Sequence, residues 1–248
     1  NKIPCIFWTT LDSLPVLDRA IDASQKCSPG NFWVWSNFAE KDMKKNGHNN
    51  VKTIYAPFDS SEFSYFPRTK RLELRKKHQI NPNTFVIGFV FRNQLRKSIY
   101  ALLDGYSMFK RENPSVDSKI ILHTCFSEGW NIQKMIEYYK IPKEDILTTY
   151  ICEACLDYQI KSFNGEHQNC PFCGAQKSQK TTSPKLGTTE EQLCEIYNLM
   201  DIYCHPFNSG GLEVPAAVEA KLCELPVLAT NYSCGEEICE ENSGSFPL

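Results

Sequence analysis

SGGLEVPAAVEAKLCELPVLATNYSCGEE, residues 209–237, passes from loop to helix to strand to loop in one short span. Ser209, Gly210 and Gly211 open it as a glycine-containing loop. Pro215 fits the first turn of the helix that follows, where a missing N–H leaves nothing unsatisfied. PVLAT, 226–230, reads as a short apolar strand, and Gly235 belongs to a second glycine loop. The start of such a helix offers free N–H groups and the positive end of its dipole, which favour a phosphate. Ser209, Gly210, Gly211 and Leu212 therefore stand where an anion would bind. Glu219, one turn into the helix, could hydrogen-bond ribose hydroxyls. The same glycines also suit an ordinary turn.

Upstream the alternation repeats. IPCIFWTT, NFWVWS and VKTIYAP read as strands, with SLPVLDRAIDASQKC and NFAEKDMKKNG as the helices between them. The aromatic stretch FDSSEFSYFP reads as a connection, which divides the chain into 1–57 and 58–248. After it come a basic helix, RTKRLELRKKHQI, whose charges read as a solvated face, and a buried strand, TFVIGFVF. KSIYALLDGYSMFKREN, NIQKMIEYYKI and TEEQLCEIYNLM, capped by Thr188 or Thr189, read as helices; SKIILHT and DIYCHPF read as strands. Strands alternating with helices predict a doubly wound α/β fold with parallel sheets covered on both faces. Such folds bind ligands at the carboxyl ends of their strands. Arg92 and Lys97 follow TFVIGFVF at that end, where two cations could neutralise a diphosphate. Exposed charges on a loop and a helix start are the plainer reading of the same pair.

Between about 150 and 180 the pattern is broken by Cys152, Cys155, Cys170 and Cys173 in two C-x2-C pairs. Two such knuckles complete a tetrahedral sulfur site for zinc, closed to water and so structural. Asn164-Gly165 between them is a hairpin signal, and Gly174 supplies permissive backbone after the second knuckle. The expectation is a zinc-ribbon hairpin, stapled because it is too small for its own core. The other eight of the twelve cysteines are scattered, which suits a reducing cytosol better than a disulfide framework. A net charge of −2 makes no case for nucleic acid, and no apolar run is long enough for a membrane span. Apolar residues at 42% are ample for a core.

Together these motifs resemble the GT-B retaining glycosyltransferases of family 4, glycosyl transferases group 1. The family pattern of a strand followed by G-R-x4-K is similar to Arg92-x4-Lys97 in FRNQLRK. Its helix with L-x3-Y resembles Leu193-x3-Tyr197, and its strand ending in P-S resembles the strand through His205-Pro206-Phe207. Glu219-Ala220, the run from Pro226 to Thr230, and Gly235-Glu236-Glu237 match at family spacing. The resemblance runs from about residue 30 to the end, apart from the ribbon. It implies that 1–57 is the last part of an acceptor-side Rossmann-like domain. Residues 58–248 would be an incomplete nucleotide-sugar domain, so that the chain is a fragment.

The resemblance further implies transfer of a hexosyl group, with retention, from a nucleotide diphosphate sugar to a hydroxyl of a glycan, lipid or protein acceptor. Arg92 and Lys97 would hold the diphosphate, Glu219 the ribose, Gly235 would join Ser209, Gly210, Gly211 and Leu212 in binding the donor, and no catalytic metal would be needed. The family's first glutamate of an E-x7-E pair falls at Gly211 here; Glu213 is the nearest carboxylate to replace it in contacting the donor sugar. Two other readings stay open: a non-catalytic nucleotide- or glycan-binding module whose ribbon contacts a partner or nucleic acid, and a GT-B sugar-nucleotide epimerase.

Overall fold

The structure, a computed structural model, describes residues 3–11, 14–208, 214–239 and 244–248. The chain begins with β1 (Phe7–Thr9), α1 (Asp18–Gln25), β2 (Phe32–Val34), α2 (Asn37–Lys45) and β3 (Val51–Thr53). It continues through α3 (Arg68–Lys77), β4 (Phe85–Val90), α4 (Ile99–Glu112), β5 (Ser118–His123), α5 (Ile132–Tyr138) and β6 (Ile146–Cys152). Then come β7 (Tyr158–Ser162), β8 (Gln179–Thr181), α6 (Glu190–Asn198) and β9 (Ile202–His205). The last elements are α7 (Val214–Leu222), β10 (Val227–Ala229), α8 (Gly235–Ile238) and β11 (Ser245–Pro247).

Strands β1, β2 and β3 make a small parallel sheet over a core of Phe32, Val34, Ala39, Met43 and Val51. The larger sheet has the order β11-β10-β9-β4-β5-β6-β7, and β8 also pairs with β6. From β4 the chain steps outward to β5 and β6; it then returns beside β4 as β9 and steps the other way. The order therefore reverses between β4 and β9, and a crevice opens at their carboxyl ends. The doubly wound parallel architecture read from the sequence is the observed one, with only β7 and β8 antiparallel among the described residues.

Why β4 sits at the centre is visible in its residues. Val86 and Phe89 are fully buried, and a Cβ at Gly88 would lie 1.9 Å from Met200 Sδ, so β4 admits no side chain there. Most charges of α3 form the solvated face expected of them, Arg68, Lys70, Glu73, Lys76 and Lys77 being exposed, but Arg71 and Arg75 turn inward. Arg75 is buried and donates to the carbonyls of Pro82, Thr84 and Leu199 and, at 2.7 Å, to Asp201 Oδ2. Asp201 in turn accepts the Val86 N–H at 2.8 Å, so one carboxylate ties α3 to β4 and to the start of β9. Of the two candidate caps for α6, Thr189 is the one used, in a capping box with Gln192.

The cysteine hairpin is more deeply built in than its sequence suggests. β6 runs unbroken into Cys152 with all seven residues buried, and β7 lines its outer edge. Tyr158 and Ile160 of β7 belong to the main core, so the hairpin shares that core rather than being stapled outside it.

Candidate functional site

A cavity of about 460 Å³ occupies the crevice. Arg92 and Lys97 reach it from the β4–α4 connection, His123 from the end of β5, Cys125 from just beyond it, and Pro215, Ala216 and Glu219 from α7. Thr182, Ser183 and Pro184, which follow β8, complete its wall. The structure thus brings together Arg92, Lys97 and Glu219, which lie far apart in sequence. Ser209, Gly210, Gly211, Leu212 and Glu213 lie outside the described residues. Gly235 does not line this cavity. It is buried at the start of α8, where a Cβ would come within 1.9 Å of the Thr230 carbonyl oxygen, and its N–H donates to the Tyr232 carbonyl at 3.0 Å.

The two cations differ in setting. Arg92 is exposed, whereas Lys97 is 8% exposed and sits at the end of a single 3-10 turn, Leu95–Lys97. Burial, helped by the neighbouring Arg96 charge, pushes the Lys97 ammonium down to about 7. An anion in the cavity would reverse that. Glu219 is held by the fully buried Tyr197, whose hydroxyl donates to Glu219 Oε2 at 2.7 Å and has the Ala216 carbonyl as a longer alternative acceptor at 3.1 Å. Burial raises the Glu219 carboxyl above its ordinary range, and the Tyr197 hydrogen bond works against that rise.

Two residues of the site have no counterpart among the sequence candidates. Asn93, between Arg92 and Lys97, is 3% exposed. Its amide donates to the carbonyls of Cys125, Glu128 and Trp130, and its Oδ1 accepts the Trp130 N–H at 3.1 Å. Gly129 closes against it with φ +62, in a space where a Cβ would meet the Asn93 carbonyl oxygen at 1.9 Å. Asn93 thereby fixes the loop after β5 against the one that carries Arg92. His123 ends β5, lies 2.9 Å from Thr149 Oγ1 through Nδ1, and is pushed down to about 4 by burial, so it is neutral near pH 7. The rule that ligands sit at strand carboxyl ends was the available signal for it.

The four hairpin thiols converge. Cys152 and Cys173 Sγ are 3.7 Å apart, Cys155 and Cys170 Sγ are 3.8 Å apart, and all four lie within 4.8 Å of one another. A tetrahedral zinc with bonds of about 2.3 Å separates its sulfurs by about 3.8 Å. The Ala154 N–H points at Cys152 Sγ (3.4 Å), the kind of bond that stabilises a thiolate. The donor set fits zinc, with no place left for water. A second, polar cavity of about 590 Å³ lies beside the hairpin and shares Cys125 and Ser183 with the first.

No family model and no curated protein matches the sequence. Solved structures do match the fold. A glycosyltransferase from Rickettsia africae superposes with a TM-score of 0.64 at 15% identity, covering 98% of this chain and 56% of its own. Anabaena HepE in complex with UDP and glucose gives 0.65 at 15% identity, covering 98% and 57%. The pneumococcal O-GlcNAc transferase GtfA, in complex with UDP and GlcNAc, gives 0.53 at 12% identity, covering 98% and 41%. This chain spans about half the length of the first two structures. With its strand order, its switch-point cavity and these superpositions, the chain has the fold of the GT-B glycosyltransferases.

Proposed function

We propose that the chain is the nucleotide-sugar-binding part of a retaining glycosyltransferase of family 4, with residues 1–57 contributing the end of the acceptor-side domain. The observation that carries this reading is the single cavity in which Arg92, Lys97 and Glu219 meet at the start of α7. A diphosphate there is met by two cations and by the positive end of a helix. Glu219, held by Tyr197, is left to bond the ribose hydroxyls. Glycosyl transfer breaks the bond between the sugar's anomeric carbon and the diphosphate, and negative charge grows on the leaving oxygen. Arg92 and Lys97 would stabilise that charge. Glu213 is the proposed contact to the donor hexose, and Ser209, Gly210, Gly211 and Leu212 the proposed anion loop. The neighbours bound to UDP support a nucleotide donor of this kind. Zinc on Cys152, Cys155, Cys170 and Cys173 would be structural, and the scattered spacing of the other cysteines suits a cytoplasmic setting.

The test is thermal stability of the intact protein with UDP-, GDP-, ADP- and CDP-sugars. Ligand at 100 times its dissociation constant adds about 2.7 kcal/mol, a shift of a few degrees. A shift with one base, lost in Arg92→Ala and Glu219→Ala, is the expected result. No shift with any donor, or an unchanged turnover in Arg92→Ala, counts against the reading.

A further inference from the structure

β6 has two edges, and three strands share them. Leu147 pairs with Ile121 of β5 and with Ser162 of β7, so β5 and β7 lie on opposite sides. Tyr150 pairs with Gln159 of β7 and Thr181 of β8, which puts β8 on the β5 side. β8 therefore continues along β6 where β5 stops, in the opposite direction, and its last residue meets the carboxyl end of β5. There the Phe126 N–H donates to Thr181 Oγ1 at 3.3 Å. The next residues, Thr182 and Ser183, line the cavity with Arg92, Lys97 and Glu219.

The wall is thin at Ser183, which also lines the second cavity, while Thr182 is buried. The wall's position is set at its two ends. At one end Ser183 and Leu186 exchange backbone hydrogen bonds of 2.9 and 3.1 Å. At the other is β8, whose Gln179 pairs with Cys152. The hairpin grips β8 further: Ser178 Oγ is 3.2 Å from Cys152 Sγ, and Glu166, between the two cysteine pairs, accepts the Thr181 N–H at 2.8 Å. A metal on the four thiols closes that frame.

We propose that the hairpin is the base-selecting part of the donor site. Its metal fixes β8, β8 fixes Thr182 and Ser183, and these two read the nucleobase edge while Arg92 and Lys97 hold the diphosphate. This rests on the nucleotide-sugar reading above. The cations leave from the end of β4 and the wall from β8, which continues the lane of β5, so their roots lie one interstrand spacing or about 5 Å apart on one cavity of about 460 Å³. A nucleoside diphosphate presents a base to that wall, whereas inorganic pyrophosphate has none to present.

Calorimetric titration of the intact, zinc-loaded protein with pyrophosphate, UDP, GDP, ADP and CDP tests it. Thr182→Val, Ser183→Ala and the chelated protein are titrated alongside. The wild type should prefer one base. At least one point variant, and metal removal, should cut that preference about fivefold, the effect of one hydrogen bond, with pyrophosphate affinity unchanged. A preference that survives in both variants overturns the proposal, and these variants decide it even if chelation unfolds the hairpin. If loaded wild type binds neither pyrophosphate nor any nucleotide, the nucleotide-sugar reading fails and this inference with it, a result distinct from binding without lost preference.

Discussion

Lys97 is buried and holds its proton weakly, and this has consequences in two directions. Its pKa of about 7 in the folded chain lies below the ordinary lysine value near 10.5. Between those values the unfolded chain binds more protons than the folded one, so Lys97 makes stability rise with pH across that window. Below about pH 7 its buried charge costs stability in full. Urea unfolding at pH 6 and pH 9 should show this rise, and Lys97→Met should lack it. Pyrophosphate should act oppositely, because it favours the charged form: binding should take up a proton and weaken as pH climbs above 7, readable by calorimetry in buffers of different ionisation heat. Arg92, Lys97 and Glu219 were legible in the sequence because each sits at a fixed offset from a strand or helix start. Asn93 and His123 were not, since their partners come from other loops and only closure of the sheet brings them together.

Among the elements, α3 shows how a charged sequence can be structural. Arg75 has a 6% exposed side chain, and its ionic partner Asp201 is 28% exposed. Asp201→Ala would leave the guanidinium buried without its carboxylate and free the Val86 N–H. The cost should be about 3 kcal/mol, at the low end for a broken buried pair because Asp201 is partly wetted. Denaturant titration would measure it, and a loss under 1 kcal/mol would mean that the carbonyls around Arg75 suffice. The order of strands and helices was legible from apolar periodicity. β6 was hidden because Thr148, Thr149 and the cysteine knuckle interrupt its apolar pattern; the Thr148 hydroxyl satisfies itself on the Leu122 carbonyl at 2.9 Å, which a sequence cannot reveal.

For the molecule as a whole, the two sheets are joined through Glu237. Its carboxylate accepts the N–H groups of Asn37 (2.8 Å) and Phe38 (3.3 Å) at the start of α2, and the Tyr55 hydroxyl at 2.6 Å. The Tyr232 hydroxyl accepts the Leu14 N–H at 3.1 Å nearby. A carboxylate at a helix N-terminus contributes about 1 kcal/mol. Glu237→Gln should thus lower stability by about that amount and bring the melting of the small sheet ahead of the large one, seen as a broadened calorimetric transition. The sequence offered Glu237 as part of a loop motif, with no hint that it reaches the other sheet. At the opposite end of the large sheet, the hairpin has a second consequence. β7 covers an apolar strand edge that would otherwise be a template for another chain. Stripping the metal should therefore turn a well-behaved protein into one that self-associates, with light scattering rising after chelation and falling again when zinc is restored early. Metal shortage would then be felt first as insolubility.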